Sequence, residues 1–216
     1  MGSRTLYTFF RSSAAYRARI ALNLKGLSYE HVAVSLPGGD QFAPDYQALN
    51  PQRQVPTLVE EDGTVLIQSP AIMEYLEEVY PEPPLLPGGA VARARVRAIA
   101  MAMGCDIHPL NNLRVLKYLR GPLAQDETGV NAWIQNWTEL GLGAVETMLA
   151  SSEETGEFCH GDTPTLADVY LAPQLYHAQR FNCPLEAYPT IGRVYSNALK
   201  LRPFQDAHPD AQPDAN

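Results

Sequence analysis

The stretch Leu6-Tyr7-Thr8-Phe9-Phe10-Arg11-Ser12-Ser13-Ala14-Ala15-Tyr16-Arg17-Ala18-Arg19 decides how the chain begins to fold. Leu6, Tyr7, Phe9 and Phe10 read as a short buried strand within residues 4–10. Ala15, Ala18, Ile20, Ala21, Leu22 and Leu24 supply the apolar positions of a helix over 15–25, and Lys25-Gly26 stops it. Between the two lies a strand-to-helix corner with two hydroxyls, Ser12 and Ser13, and one cation, Arg11. Serines in that place ordinarily cap a helix, and spacing alone takes the reading no further.

Working outward, Tyr29–Val34 alternates as a second strand, and Pro37-Gly38-Gly39-Asp40 is a loop before a short helical piece near Phe42–Ala48. Val55-Pro56 immediately precedes a third strand, and the turn Glu61-Asp62-Gly63-Thr64 leads to a fourth at Val65–Ile67. Gln68-Ser69-Pro70 then opens a helix to about Val79, with Ser69 as the expected N-cap and Pro70 at the first helical position. The order βαβ, short helix, ββα is that of a thioredoxin-like α/β layer. The breaker-rich run Pro81–Gly89 reads as a linker.

Beyond it the pattern is helical throughout. One helical region covers Ala90–Arg120 and is bent near Gly104 and Pro109; a second runs over Glu127–Ala150, with Trp133, Trp137, Leu140, Val145 and Leu149 as buried candidates. Thr165 and Asp168 have capping-box spacing and start a third that ends near Arg180. A fourth spans Pro189–Leu201, and the tail from Pro209 is expected to be disordered. The expected organisation is an α/β thioredoxin-like domain over 1–83, a linker over 84–91 and an all-helical domain over 92–216.

Composition is that of an ordinary globular chain: 216 residues, 45% hydrophobic, 19% charged, net charge −8. The acidic balance argues against a nucleic-acid surface. No apolar run approaches the roughly 20 residues that span a bilayer. Met1-Gly2-Ser3-Arg4 leads into the first strand, so no signal peptide is expected, and Leu6 stands where a myristoylation motif requires Ser or Thr. Cys105, Cys159 and Cys183 are widely spaced and odd in number, which gives neither a disulfide framework nor a metal site and points to the reducing cytoplasm. Cys105 reads as buried in its helix, and Tyr7 as a packed strand residue.

The motifs coincide in order with those of one superfamily. Phe10-Arg11-Ser12-Ser13, Ala48-Leu49-Asn50-Pro51, Gln54-Val55-Pro56-Thr57-Leu58, Gln68-Ser69-Pro70-Ala71-Ile72, Asp106 to Leu116, Thr165 to Asp168, Pro173-Gln174, Arg180-Phe181 and Tyr188-Pro189 together resemble the cytosolic glutathione transferases. The narrower likeness is to the zeta class, the maleylacetoacetate and maleylpyruvate isomerases, and it covers nearly the whole chain. One departure is Ala14, where many zeta enzymes carry Cys. With bound glutathione as the source of the reacting thiol, that loss is expected to be tolerated.

The resemblance implies glutathione as cofactor, a small dicarboxylate substrate and an isologous homodimer. It implies a cis Val55-Pro56 bond, with Val55 pairing strand-fashion to the tripeptide and Pro56 beside it in the cofactor site, Gln68 and Ser69 holding its γ-glutamyl carboxylate, and Gln41, His108 and Asn112 as further contacts. Ser13, closely followed by Ser12, is the expected partner of the thiolate. Arg11, Arg114 and Arg180 are the expected forks for substrate carboxylates, since guanidinium groups bind carboxylates bidentately. A helix N-terminus and a hydroxyl donor both favour a thiolate, and lowering a thiol pKa by about two units takes roughly 2.7 kcal/mol of differential stabilisation. The implied activity is cis–trans isomerisation of a maleyl compound, maleylacetoacetate first and maleylpyruvate as the alternative. The three arginines lean toward a small, doubly charged substrate. A general transferase acting on halogenated acids and a non-catalytic partner-binding protein are the other readings.

Overall fold

The computed structural model describes residues 3–215 and divides into two compact units. The first comprises the chain up to Pro84 together with the segment from Leu201 onward; the second is Leu85–Lys200.

In the first unit, β1 (Thr5–Thr8), α1 (Ser13–Leu24), β2 (Glu30–Ala33), α2 (Pro44–Leu49), β3 (Thr57–Val59), β4 (Val65–Ile67) and α3 (Ser69–Val79) follow in order. The sheet order is β2-β1-β3-β4, with β1 parallel to β2 and antiparallel to β3, and β3 antiparallel to β4. The βαβ link makes the first pair parallel, and the Gly63 turn (φ +88°) makes the last pair a hairpin. Ala15, Ala18, Ile20 and Leu22 of α1 and Ile72 and Leu76 of α3 are fully buried with Leu6 and Leu58 of the sheet. Each such branched side chain contributes about 1.5–3 kcal/mol by leaving water.

The expected disorder of the tail is not found. Residues 202–207 form α9 (Arg202–Ala207), a 3₁₀ turn follows at Pro209–Ala211, and α9 packs on α1. Phe204 and Ala207 are fully buried, and the carbonyl oxygens of Ala207 and Pro203 accept from Arg19 Nε at 3.0 Å and Asn23 Nδ2 at 3.0 Å. A segment with this much burial and polar satisfaction is ordered despite its Pro-rich composition. It belongs to the first unit, not to a helical domain running over 92–216.

The second unit consists of α4 (Ala90–Met101), α5 (Leu113–Arg120), α6 (Glu127–Ala150), α7 (Leu166–Arg180) and α8 (Pro189–Ala198). The bend expected near Gly104 is a π-helical turn at Ala102–Ile107 followed by a 3₁₀ turn at His108–Asn111. That wide turn fits against its neighbours because Gly104 lies under the Tyr170 ring and Gly141 of α6 under Ile107; a Cβ on either would collide. α7 starts at the expected capping box: Asp168 accepts from Thr165 N at 2.8 Å, Thr165 Oγ1 at 2.9 Å and Cys159 N at 2.9 Å. Two burial expectations fail. Leu140 is 65% exposed, on the outer side of α6, and Cys105 is exposed on the π turn, where the extra residue per turn rotates it outward.

Candidate active site

The sheet register gathers the sequence motifs of the first unit. Tyr7 near the end of β1 pairs with Thr57 at the start of β3, and Thr57 pairs with Ile67 at the end of β4. The segments just beyond those residues are the Arg11-Ser12-Ser13 corner, Val55-Pro56 and Gln68-Ser69. They therefore leave the same end of the sheet on adjacent strands, about 4.8 Å apart. β2 ends there too, Ala33 opposite Thr8, and its following loop carries Gln41. Strands that alternate in direction bring together residues 11–13, 55–56 and 68–69 without any long connection.

At the corner, Ser12 N donates to Phe9 O at 3.0 Å and closes the turn. Ser12 is the N-cap of α1: its Oγ accepts from Ala15 N at 3.2 Å. Ser13 is the first helical residue and only 5% exposed, whereas Ser12 is half-buried. A hydroxyl whose oxygen is engaged by a helix N–H keeps its hydrogen for another acceptor. Ser12 thus keeps a hydroxyl hydrogen to donate, while the resemblance places Ser13 ahead of it as the expected thiolate partner. The first turn of α1 has no acidic residue, so no side chain of the helix itself offsets its positive end. Arg11 is exposed, its Cζ 4.8 Å from the Phe10 ring centroid.

The Val55-Pro56 bond is cis. Among the described residues, the N–H and C=O of Val55 make no hydrogen bond within the protein, although its side chain is buried. The preceding loop is cross-braced: Asn50, itself buried, donates through Nδ2 to Gln54 O at 2.8 Å and Thr57 Oγ1 at 3.0 Å, and Tyr46 OH reaches the same two groups. Asn50 and Tyr46 therefore fix the peptide just ahead of Val55, a role that only the Asn50-Pro51 motif hinted at. Val55 is left as an unpaired, strand-like peptide edge.

Gln68, not Ser69, is the N-cap of α3; Ser69 is its first residue and is buried. Gln68 has φ +70°, a conformation that costs a non-glycine residue about 1–3 kcal/mol and is kept where surroundings enforce it. Its Nε2 donates to Gln52 Oε1 at 2.6 Å. The first turn of α3 again lacks acidic residues. Gln41 is buried and donates to Leu36 O of its own loop at 3.3 Å; its Oε1 has no protein partner among the described residues.

The second unit carries the other expected residues on separate elements, not on one helix. His108 begins the 3₁₀ turn, and Asn112 caps α5, its Oδ1 accepting from Arg114 N at 3.1 Å. Arg114 is exposed in the first turn of α5. Arg180 is exposed in the last turn of α7, its Cζ 5.4 Å from the Phe181 ring centroid. His177, one turn before it, has its pKa pushed down to about 4 by burial and secondarily by the Arg180 charge. The unfolded chain therefore binds the extra proton between about pH 6.5 and 4, and the stability due to neutral His177 is lost as pH falls through that window. Urea unfolding is expected to show a loss of up to about 3 kcal/mol between neutral pH and about pH 4, flattened in His177→Gln.

A cavity of about 400 Å³ lies at the opposite end of the sheet, lined among others by Arg4, Glu60, Tyr75 and Tyr80. The Arg4 donors there are taken by Glu60 at 3.0 Å, Ser28 O at 3.2 Å and Tyr80 OH at 2.7 Å, so the cavity is framed by a closed ion-pair network and lies away from the corner.

Residues 11–79 match the family model for the glutathione S-transferase N-terminal domain. The chain is 50% identical over 210 residues to a maleylpyruvate isomerase from Ralstonia sp, covering 97% of this chain and 99% of that one. A solved holo structure of a maleylpyruvate isomerase, described as a bacterial zeta-class glutathione S-transferase, superposes with a TM-score of 0.96 at 49% identity over 98% of this chain and 100% of that one. A maleylacetoacetate isomerase from Anaeromyxobacter dehalogenans, solved with glutathione in its active site, gives 0.88 at 48% identity over the whole of both chains. The chain belongs to the zeta-class glutathione transferase family of maleylacetoacetate and maleylpyruvate isomerases. Among the described residues no helix is long and apolar enough to cross a membrane.

Proposed function

We propose that the protein is a glutathione-dependent cis–trans isomerase of a maleyl dicarboxylate, with maleylacetoacetate as the first candidate substrate and maleylpyruvate as the second. The observation that carries this is the unpaired Val55 peptide edge flanked by two helix N-termini with no acidic residue in their first turns. An extended peptide with carboxylates and a thiol fits that arrangement: Val55 pairs with its backbone, Gln68 and Ser69 receive a carboxylate at the start of α3, and the corner receives the sulfur.

Bound glutathione supplies a thiolate that adds to the activated double bond, permits rotation about it and leaves unchanged, so nothing is oxidised or reduced. Ser12 donates its hydroxyl hydrogen toward the sulfur, and the α1 N-terminus adds its partial positive charge. Arg11, Arg114 and Arg180 hold substrate carboxylates and stabilise negative charge that develops next to them. Ala14 removes any protein thiol from the corner, consistent with glutathione as the sole reacting thiol. His108, Asn112 and Gln41 are assigned to supporting contacts with the tripeptide. Family membership also supports an isologous homodimer and a cytoplasmic location.

Turnover of maleylacetoacetate and maleylpyruvate should be measured side by side with and without glutathione. The expected result is isomerisation of at least one that requires glutathione and does not consume it. Accumulation of a thioether from a halogenated acid, with neither maleyl compound turned over, would identify a conjugating transferase. Calorimetry without glutathione binding would identify a partner-binding protein.

A further inference from the structure

The returning segment 201–215 does more than fill the core: it reaches the backbone of the corner. Asp214 Oδ2 accepts from Phe10 N at 2.9 Å, and Asp214 Oδ1 lies 3.0 Å from His31 Nε2 on β2. From the other side, the fully buried Arg19 donates to Phe10 O at 3.0 Å, to Thr8 Oγ1 at 3.0 Å and to Ala207 O at 3.0 Å. The Phe10 backbone is thus held through its N–H by a carboxylate and through its C=O by a guanidinium. Two residues later stands Ser12, whose orientation depends on the turn Phe9–Ser12. Hydrogen bonds to charged groups are the strong ones.

We propose that Asp214 is a positioning residue for the thiol-binding corner, acting through the Phe10 peptide to set where the Ser12 hydroxyl and the first N–H groups of α1 point. The inference rests on the functional reading above, in that the corner is the place where sulfur is bound. The side chain at 214 touches neither thiol nor substrate; it fixes the frame that does. Small displacements of such a frame cost up to about 10²-fold in rate.

The test compares Asp214→Ala and Asp214→Asn in the full-length protein, reading separate KM values for glutathione and the dicarboxylate and the pH titration of the thiolate absorbance of bound glutathione. Asp214→Asn keeps an acceptor oxygen for Phe10 N–H and removes the charge. In Asp214→Ala we expect the glutathione KM to rise about tenfold and the bound thiol pKa to rise by about half a unit or more, with the dicarboxylate KM within about twofold. Asp214→Asn should stay within about threefold of the unaltered protein on every count. The proposal is overturned if folded Asp214→Ala binds and ionises glutathione normally. It is equally overturned if both variants lose kcat in proportion to a loss of folded protein without moving the pKa, which marks a purely structural role. A fall in the thiol pKa in both variants also overturns it, because that is the signature of a field effect. If the unaltered protein binds glutathione but does not isomerise, only the functional reading falls and the titration still decides the clamp. If it binds none, both fall.

Discussion

Ser12→Ala is expected to lower kcat/KM for the glutathione-dependent isomerisation by about 10²–10³-fold, the cost of removing one preorganised donor from a developing or resident anion. The reason lies in the Ser12 hydroxyl geometry: the oxygen accepts from Ala15 N, so the hydrogen is directed away from the helix. The alkaline shift of the pH–rate profile should show the same loss, its thiolate limb moving up by about one to two units. Removing the cap also destabilises the fold, by about 1 kcal/mol, which is far too little to produce the rate effect. Ser13→Ala provides the control. Its side chain is almost fully buried at the first helical position, and a reduction below about tenfold is expected. Equal losses in the two variants would return the assignment to Ser13 and Ser12 jointly.

Asp168→Ala should be the most damaging single change to stability, about 3–5 kcal/mol, or roughly 10 °C in Tm for a chain of this size. Asp168 is fully buried and receives three hydrogen bonds, two from backbone N–H groups that have no route to water once the carboxylate is gone. Burial raises the Asp168 pKa, and it raises the neighbouring Cys159 thiol well above its ordinary value, so the pocket tolerates one charge only because the N–H groups face it. Asp168→Asn should cost less than alanine, because its amide oxygen still accepts, but more than a surface change. Chemical denaturation of the three proteins at neutral pH measures the order. A loss below about 1 kcal/mol for alanine would mean that water replaces the carboxylate.

Local signals were readable where one residue type has one physical use. α6 spans the expected Glu127–Ala150, and α7 begins at Leu166 behind its expected Thr165 cap. The corner, the Val55-Pro56 pair and the Gln68-Ser69 pair were all visible as motifs. Spacing alone does not show which serine oxygen accepts from the helix; it is that of Ser12, from Ala15 N. The cap of α3 was displaced by one residue because Gln68 takes a left-handed φ, which Gln does not advertise. Leu140 was misplaced because a 24-residue helix exposes one side of an apolar pattern when neighbours cover only the other. Asp214 and Arg19 were missed for a plainer reason. Their partners lie 204 and up to 188 residues away in sequence, and no local pattern encodes such a pairing.

That long return has a consequence for how the protein comes into being. The first unit is discontinuous: its last layer is synthesised only after the whole of Leu85–Lys200 has been made. Domains generally fold as units while the chain emerges, amino end first. Here the nascent βαβ–ββα layer waits, with Arg19 lacking its Ala207 acceptor and Phe10 lacking Asp214, until residues 201–215 have left the ribosome. The Arg11-Ser12-Ser13 corner is therefore finished last although it is encoded first, and a nascent chain cut short within the helical unit carries the motif without its Asp214 and Ala207 contacts.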